Sequence, residues 1–320
     1  MAAPGRRRLG SDQLDDGSGI PVEPAFATHA VVATAENLPG DFRSYCESHA
    51  QPTDLSPDDE AEAIRKALKQ SGGNTVAIFD LRARMRAGTL STRDYRRPHG
   101  VAADAGGRLY VTSEPRRSLL IFRLEDQSVL HVVDVEQECP HVVAVSPDGR
   151  TAMTANIGSG SLSAVDVMMG VVLRNVKVLE RPEGMAFSPD GKLLYVVNRE
   201  SDVVSVVDAV KLETVGRIDT GRGPVRIAIS PEGNRIAFPL FHADAVQIAD
   251  TKARAVAHTI SVGKQPAGTT LSADGDVLFV SCEHERRVYV ISMAKGEILS
   301  TIATGEGPDA MACLDFAEMS

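Results

Sequence analysis

Pro182-Glu183-Gly184-Met185-Ala186, followed by Ser188-Pro189-Asp190-Gly191, is a short apolar run that ends in a turn, and the chain repeats this unit at a fixed interval. Proline recurs at positions 98, 140, 182, 224, 266 and 308, each 42 residues after the last. In register with the quoted stretch stand Pro98-His99-Gly100-Val101-Ala102, Pro140-His141-Val142-Val143-Ala144, Pro224-Val225-Arg226-Ile227-Ala228, Pro266-Ala267-Gly268-Thr269-Thr270 and Pro308-Asp309-Ala310-Met311-Ala312. A constant period of this length marks a repeat architecture.

Each run has the length and composition of a buried strand. The turns that follow are Ser146-Pro147-Asp148-Gly149, Ser188-Pro189-Asp190-Gly191, Ser230-Pro231-Glu232-Gly233 and Ser272-Ala273-Asp274-Gly275, with Ala105-Gly106-Gly107 in the first repeat. Proline presets φ and glycine accepts positive φ, so these segments read as hairpin turns. A second strand follows (109–112, 193–197, 277–281), then a valine-rich third (203–207, 245–248, 288–291) and a fourth such as 215–218. Four short strands per period make one blade of a β-propeller. Helical repeats of similar length need 3.6-periodic stretches of ten or more residues, whereas β-branched residues here alternate over four to six.

Five complete repeats begin at Pro98, Pro140, Pro182, Pro224 and Pro266; the sixth, from Pro308, stops after one strand. Residues 29–36, 75–80 and 89–91 match second, third and fourth strands, so the sequence predicts an all-β fold: a single propeller of six four-stranded blades. The ring is expected to close with a composite blade of N- and C-terminal strands; seven blades is the alternative. Residues 38–73 interrupt that blade. Ser56, Pro57 and the acidic Asp58, Asp59 and Glu60 announce a helix there, with a stripe of Ala61, Ile64, Ala67 and Leu68. The insertion is expected to lie as a lid on the channel face, within a domain spanning residues 20–320. Residues 1–19 read as a disordered tail.

A net charge of −9 argues against nucleic acid as a partner, since that affinity comes chiefly from clustered Lys and Arg. No apolar stretch follows Arg6-Arg7-Arg8, so neither a signal peptide nor a membrane span is expected. Cys46, Cys139, Cys282 and Cys313 have neither paired nor metal-type spacing, which fits free thiols in a reducing cytoplasm.

Leu194-Tyr195-Val196-Val197-Asn198 and Leu109-Tyr110-Val111-Thr112-Ser113 resemble the Tyr-Val-Thr-Asn (YVTN) propeller repeat of lactonase-like proteins, over residues 98–316. The signature tryptophan of the Trp-Asp propellers is missing, because the chain has no Trp.

The residue after each repeat proline sits where an inner strand enters the channel. Around the ring these are His99, His141, Glu183, Val225, Ala267 and Asp309. Four metal-capable side chains, Asp309, His99, His141 and Glu183, are therefore contiguous, and imidazole with carboxylate suits a divalent ion such as Zn, Fe or Mn. This arrangement resembles gluconolactonase-type six-bladed propellers, which hold a divalent ion on the axis with Asn, Asp and Glu; here two His replace oxygen ligands. On the 42-residue period Glu114, Asn156 and Asn198 end the second strands of the same blades, and are expected to orient ligands or bind substrate. His242 and His284 read as surface residues, and Tyr45, Cys46 and His49 as loop residues. The sequence thus predicts a metal-dependent enzyme acting on a small molecule at the channel mouth, a lactonase-like hydrolase or a lyase or isomerase. The alternatives are a non-catalytic scaffold, which would engage protein partners, and a small-molecule-binding protein.

Overall fold

The computed structural model describes residues 29–34, 73–80 and 85–313. Blade 1 consists of Pro98–Ala103, Arg108–Ser113, Ser118–Arg123 and Val129–Asp134, paired antiparallel in chain order. Blades 2, 3, 4 and 5 repeat this plan from Pro140–Val145, Pro182–Phe187, Ala228–Ile229 and Pro266–Leu271. The N-terminal sheet has three strands, His29–Thr34, Thr75–Asp80 and Met85–Ser91. Successive inner strands pack on one another from blade 1 to blade 5, and His29–Thr34 packs on the inner strand of blade 1.

The third strands, such as Val203–Asp208, are covered on both faces and so read as near-continuous apolar runs. Stability comes from apolar layers between neighbouring blades. Tyr110, Leu119 and Ile121 of blade 1 meet Val143, Ala152 and Val165 of blade 2; Met153, Leu162 and Ala164 of blade 2 meet Leu194, Val196 and Val207 of blade 3. Similar layers join blades 3 and 4, blades 4 and 5, and the N-terminal sheet with blade 1. Each fully buried aliphatic side chain contributes roughly 1.5–3 kcal/mol relative to exposure. The turns predicted at Ser146, Ser188, Ser230 and Ser272 form as hairpins, with the N–H of Gly149, Gly191, Gly233 and Gly275 donating to the serine carbonyl.

The expectation of a ring closed by a four-stranded composite blade is corrected. Residues 304–313 form no strand, and the N-terminal sheet has three strands among the described residues. Among the described residues no apolar layer joins blade 5 to that sheet. Ile302, in register with the buried Val176, Ile218 and Ile260 of the other outer strands, is 50% exposed. Each inner strand that forms is tied to its second strand by a short turn. The segment after Pro308 has no such partner, and its intended mate lies at the other end of the chain, so pairing carries a loop-closure cost that no adjacent hairpin offsets. Among the described residues there are six sheets, not seven. Residues 1–19 and the expected helical lid, apart from Gly73, lie outside the described residues.

Inner strands come unusually close at alternate interfaces. A Cβ on Gly100 would stand 2.6 Å from the carbonyl oxygen of His141, and one on Gly184 2.7 Å from that of Val225 and 2.9 Å from the Cα of Arg226. Backbone cannot yield as a side chain tip can. Gly184→Ala is therefore expected to cost about 1–3 kcal/mol in urea unfolding, the usual penalty of overpacking. Gly88→Ala, where no atom lies within 4 Å of the added Cβ, should stay within about 0.5 kcal/mol of the parent; equal effects of the two would contradict the close approach.

Candidate metal centre at the channel mouth

Every repeat enters the channel by the same backbone device. The residue before each proline has positive φ: Arg97 (51°), Cys139 (57°), Arg181 (54°), Gly223 (71°), Gln265 (53°) and Gly307 (58°). For the four non-glycine residues this is a strained conformation, held by the surrounding structure. Immediately after the proline, pairing slips. Pro140 pairs with Asn156 but Val142 with Ala155, and Pro182 with Asn198 but Gly184 with Val197, so His141 and Glu183 are extra residues of β-bulges. The same slip follows Pro98 and Pro266. A bulge turns its unpaired residue out of the pleat, and here it re-aims the residues that the sequence places around the channel.

His99 and His141 meet across the interface of blades 1 and 2. Their rings stack with centroids 3.7 Å apart and planes 25° from parallel. The Nδ1 of His99 lies 3.1 Å from the carbonyl oxygen of His141, which only accepts, so Nδ1 carries the proton. His141 Nδ1 lies 2.6 Å from Glu114 Oε1 and donates to that carboxylate. These two bonds set the tautomers: in the neutral form each imidazole keeps its lone pair on Nε2. The Nε2 of His141 is 4.0 Å from Glu183 Oε1.

Burial pushes the His99 imidazole down to about 3, aided by His141, Arg226 and Arg97 and opposed by Glu114. Burial alone would raise Glu114, but the hydrogen bond and charge of His141, with the charges of His99 and Arg97, outweigh it and hold the carboxyl at about 2. Glu114 is therefore ionised, with Oε2 2.8 Å from Arg97 Nε. Burial, followed by the Glu114 charge, pushes the Cys139 thiol up, which keeps it protonated.

His99, Glu114 and His141 each offer a ligand atom within 4.8 Å of the others. Chemistry divides their roles. Glu114 Oε1 accepts from His141 and so orients it in the manner of a carboxylate–histidine–metal triad, while Oε2 is buried without a hydrogen bond and faces Arg97 as an ion pair. The groups with directed lone pairs are His99 and His141, with Glu183 beside them. Glu183 is itself held by Arg199 Nη1, 3.1 and 3.2 Å from its two oxygens, and by Arg181 Nε at 3.6 Å.

Other expected site residues lie elsewhere. Asp309 is exposed in the irregular C-terminal segment and outside the cluster; its carbonyl accepts from Ser281 Oγ at 2.7 Å. Asn156 and Asn198 are fully buried inside their blades. The amide of Asn156 donates to Ser161 and Ser163, that of Asn198 to Val196, Val203 and Ser205. Glu114 differs from them because it is not their structural equivalent. Pro98 pairs with Ser113, whereas Pro140 and Pro182 pair with Asn156 and Asn198. The first hairpin turn is one residue shorter, so Glu114 occupies the place of Ile157 and Arg199, and alternation turns it toward the channel. Val225 and Ala267 are buried, His242 and His284 are exposed, and Tyr45, Cys46 and His49 lie outside the described residues.

Sequence reasoning missed Arg199 and Arg226. Arg199 stacks on Phe241, its guanidinium carbon 4.4 Å from the ring centroid. Arg226 donates from Nη1 to the Glu183 carbonyl at 3.0 Å. Pro239 was the available signal. It has no N–H to offer the inner strand of blade 4, which shrinks to Ala228–Ile229. Below the imidazoles the lumen is a cavity of about 230 Å³ reached by blades 1 to 4 and Ala310.

No family model matches the chain, and no curated protein does. Among solved structures it is similar to the hydrazine synthase of Kuenenia stuttgartiensis, at 18% identity and a TM-score of 0.53, over 67% of this chain and 88% of that one. The fold is a β-propeller. At that identity the likeness carries architecture alone. No helix among the described residues is long and apolar enough to cross a membrane.

Between the ordinary histidine value of 6.5 and about 3, the unfolded chain binds a proton at position 99 that the native chain refuses. Stability of chelator-treated protein should therefore fall as pH drops through this window, by up to about 1.4 kcal/mol per unit from this group. The Glu114 contribution is present above 4.5 and is lost as pH falls toward about 2. Urea unfolding at pH 7, 5.5 and 4.5 checks this: His99→Gln should flatten the decline above pH 4.5, and an unchanged slope would count against a buried neutral His99.

Proposed function

We propose that the channel mouth binds a divalent metal ion through His99 and His141, with Glu183 as the adjoining carboxylate, and that the protein is a metal-dependent enzyme acting on a small molecule there. One observation carries this reading: both imidazoles are fixed through Nδ1, by a carbonyl and by an ionised carboxylate, which reserves Nε2 of each for a ligand. Two imidazoles and a carboxylate suit Zn, Fe or Mn, with coordination positions left for water and substrate. Such an ion polarises a carbonyl or lowers the pKa of bound water. The protein's own contribution is orientation. Glu114 holds His141, Thr112 and His99 hold the carbonyl of His141, and Arg199 fixes Glu183.

The YVTN-like strands of blades 1 and 3 support a lactonase-like hydrolysis as the reaction class, for which an ion held by His99, His141 and Glu183 would supply Lewis-acid chemistry. A lyase or isomerase reaction uses the same polarisation.

Metal analysis of protein purified without chelator should find about one equivalent of Zn, Fe or Mn. His99→Ala combined with His141→Ala should abolish it. Glu114→Gln, which retains both imidazoles, should weaken metal affinity roughly 10- to 100-fold. Wild-type protein that takes up no metal on reconstitution would reject the proposal.

A further inference from the structure

Around the lumen beneath the imidazoles stand His99, Val101, Val143, Met185, Arg226 and Ile227. Its side-chain walls are mostly aliphatic, with His99 and backbone polar groups also open to it, and Arg226 is its one charged lining residue among the described residues. Arg226 enters from blade 4, lines the same lumen as His99 of blade 1 and acts on it by charge, and is anchored by Nη1 on the carbonyl of Glu183. Opposite it Pro239 offers no N–H, so this stretch is tied only by the Val225 N–H on the Pro239 carbonyl and a bridge between Pro224 and Leu240. Glu183 is bound by Arg199 and Arg181, and Glu283, which feels the charge of Arg226, does not line the lumen. The cavity, at about 230 Å³, is below the roughly 300 Å³ at which pockets for drug-sized ligands begin.

A half-buried guanidinium opening onto this lumen presents a planar fork that matches a carboxylate through two parallel N–H donors. We infer that the lumen is a binding site for a small carboxylate with a short apolar body, the carboxylate on Arg226 and the body against Val101, Val143, Met185 and Ile227. The inference rests on the proposed metal centre only in naming the substrate class of that site. It places an acid group on the side of the channel facing His99, so the reacting carbon of a bound substrate lies between Arg226 and the imidazole pair.

The test uses the full chain carrying ¹³C-methyl methionine, with the Met185 signal assigned by Met185→Leu. Butanoate should shift that signal saturably. Butanol, which lacks the charge, and inorganic phosphate, which lacks the apolar body, should each bind at least ten times more weakly. Arg226→Gln should lose at least tenfold in butanoate affinity, while Arg226→Lys should retain saturable binding with an intermediate loss. Equal binding of butanol, equal binding of phosphate, or an unaffected folded Arg226→Gln variant would each overturn the inference. Titration with and without chelator separates the two claims. Butanoate binding by a protein that never takes up metal would remove the metal centre and leave this site standing; metal uptake without butanoate binding would do the reverse.

Discussion

The carbonyl oxygen of His141 accepts from Thr112 Oγ1 at 2.9 Å and from the ring of His99 at 3.1 Å, while Thr112 Oγ1 accepts from the N–H of Gly100 at 2.8 Å. This small relay joins the first two blades where both backbones leave regular pairing. It is possible only because Gly100 has no Cβ to strike that carbonyl. From it follow the stacking of the two rings, the proton on His99 Nδ1, and a position for His141 from which its own Nδ1 reaches Glu114. A bulge leaves backbone groups without ladder partners, and here a threonine hydroxyl and an imidazole supply them.

The same relay recurs four blades on, where Gly268 N–H donates to Ser281 Oγ and that hydroxyl to the carbonyl of Asp309. The C-terminal segment is thus anchored beside blade 5 by an inter-blade contact without forming a strand of its own. Between them, Gly184 makes a similarly close approach to Val225 and Arg226. Close interfaces occupy every second place around the channel. Chemistry does not follow that alternation: imidazoles and ion pairs gather on blades 1 to 3, while Val225 and Ala267 fill the equivalent places on blades 4 and 5.

The proline period made the blades and the channel-facing positions legible, because strand, turn and strand recur at one spacing. It misled where the chain keeps its period by compensating errors. Blade 1 loses a residue in its first hairpin turn and regains it only between Val135 and Pro140, so counting by 42 placed Glu114 beside Asn156 and Asn198. One residue of slip in a strand exchanges its faces, and that exchange separates a group that orients the site from two that stitch blade interiors. Bulges leave no mark in composition, so the aim of His141 and Glu183 was not readable. Arg226 escaped notice because its freedom comes from Pro239, thirteen residues away. Closure failed as an expectation because matching strand patterns at opposite ends of a chain says nothing of the cost of bringing them together.

The central proposal is that two imidazoles, each fixed through Nδ1 by a carbonyl or a carboxylate, offer their Nε2 atoms to a metal ion. X-ray absorption at the metal edge of zinc-reconstituted protein measures this directly. The account predicts two histidine nitrogens at about 2.0–2.1 Å with the remaining ligands oxygen. A shell without imidazole, or one containing thiolate sulfur at about 2.3 Å, would contradict it.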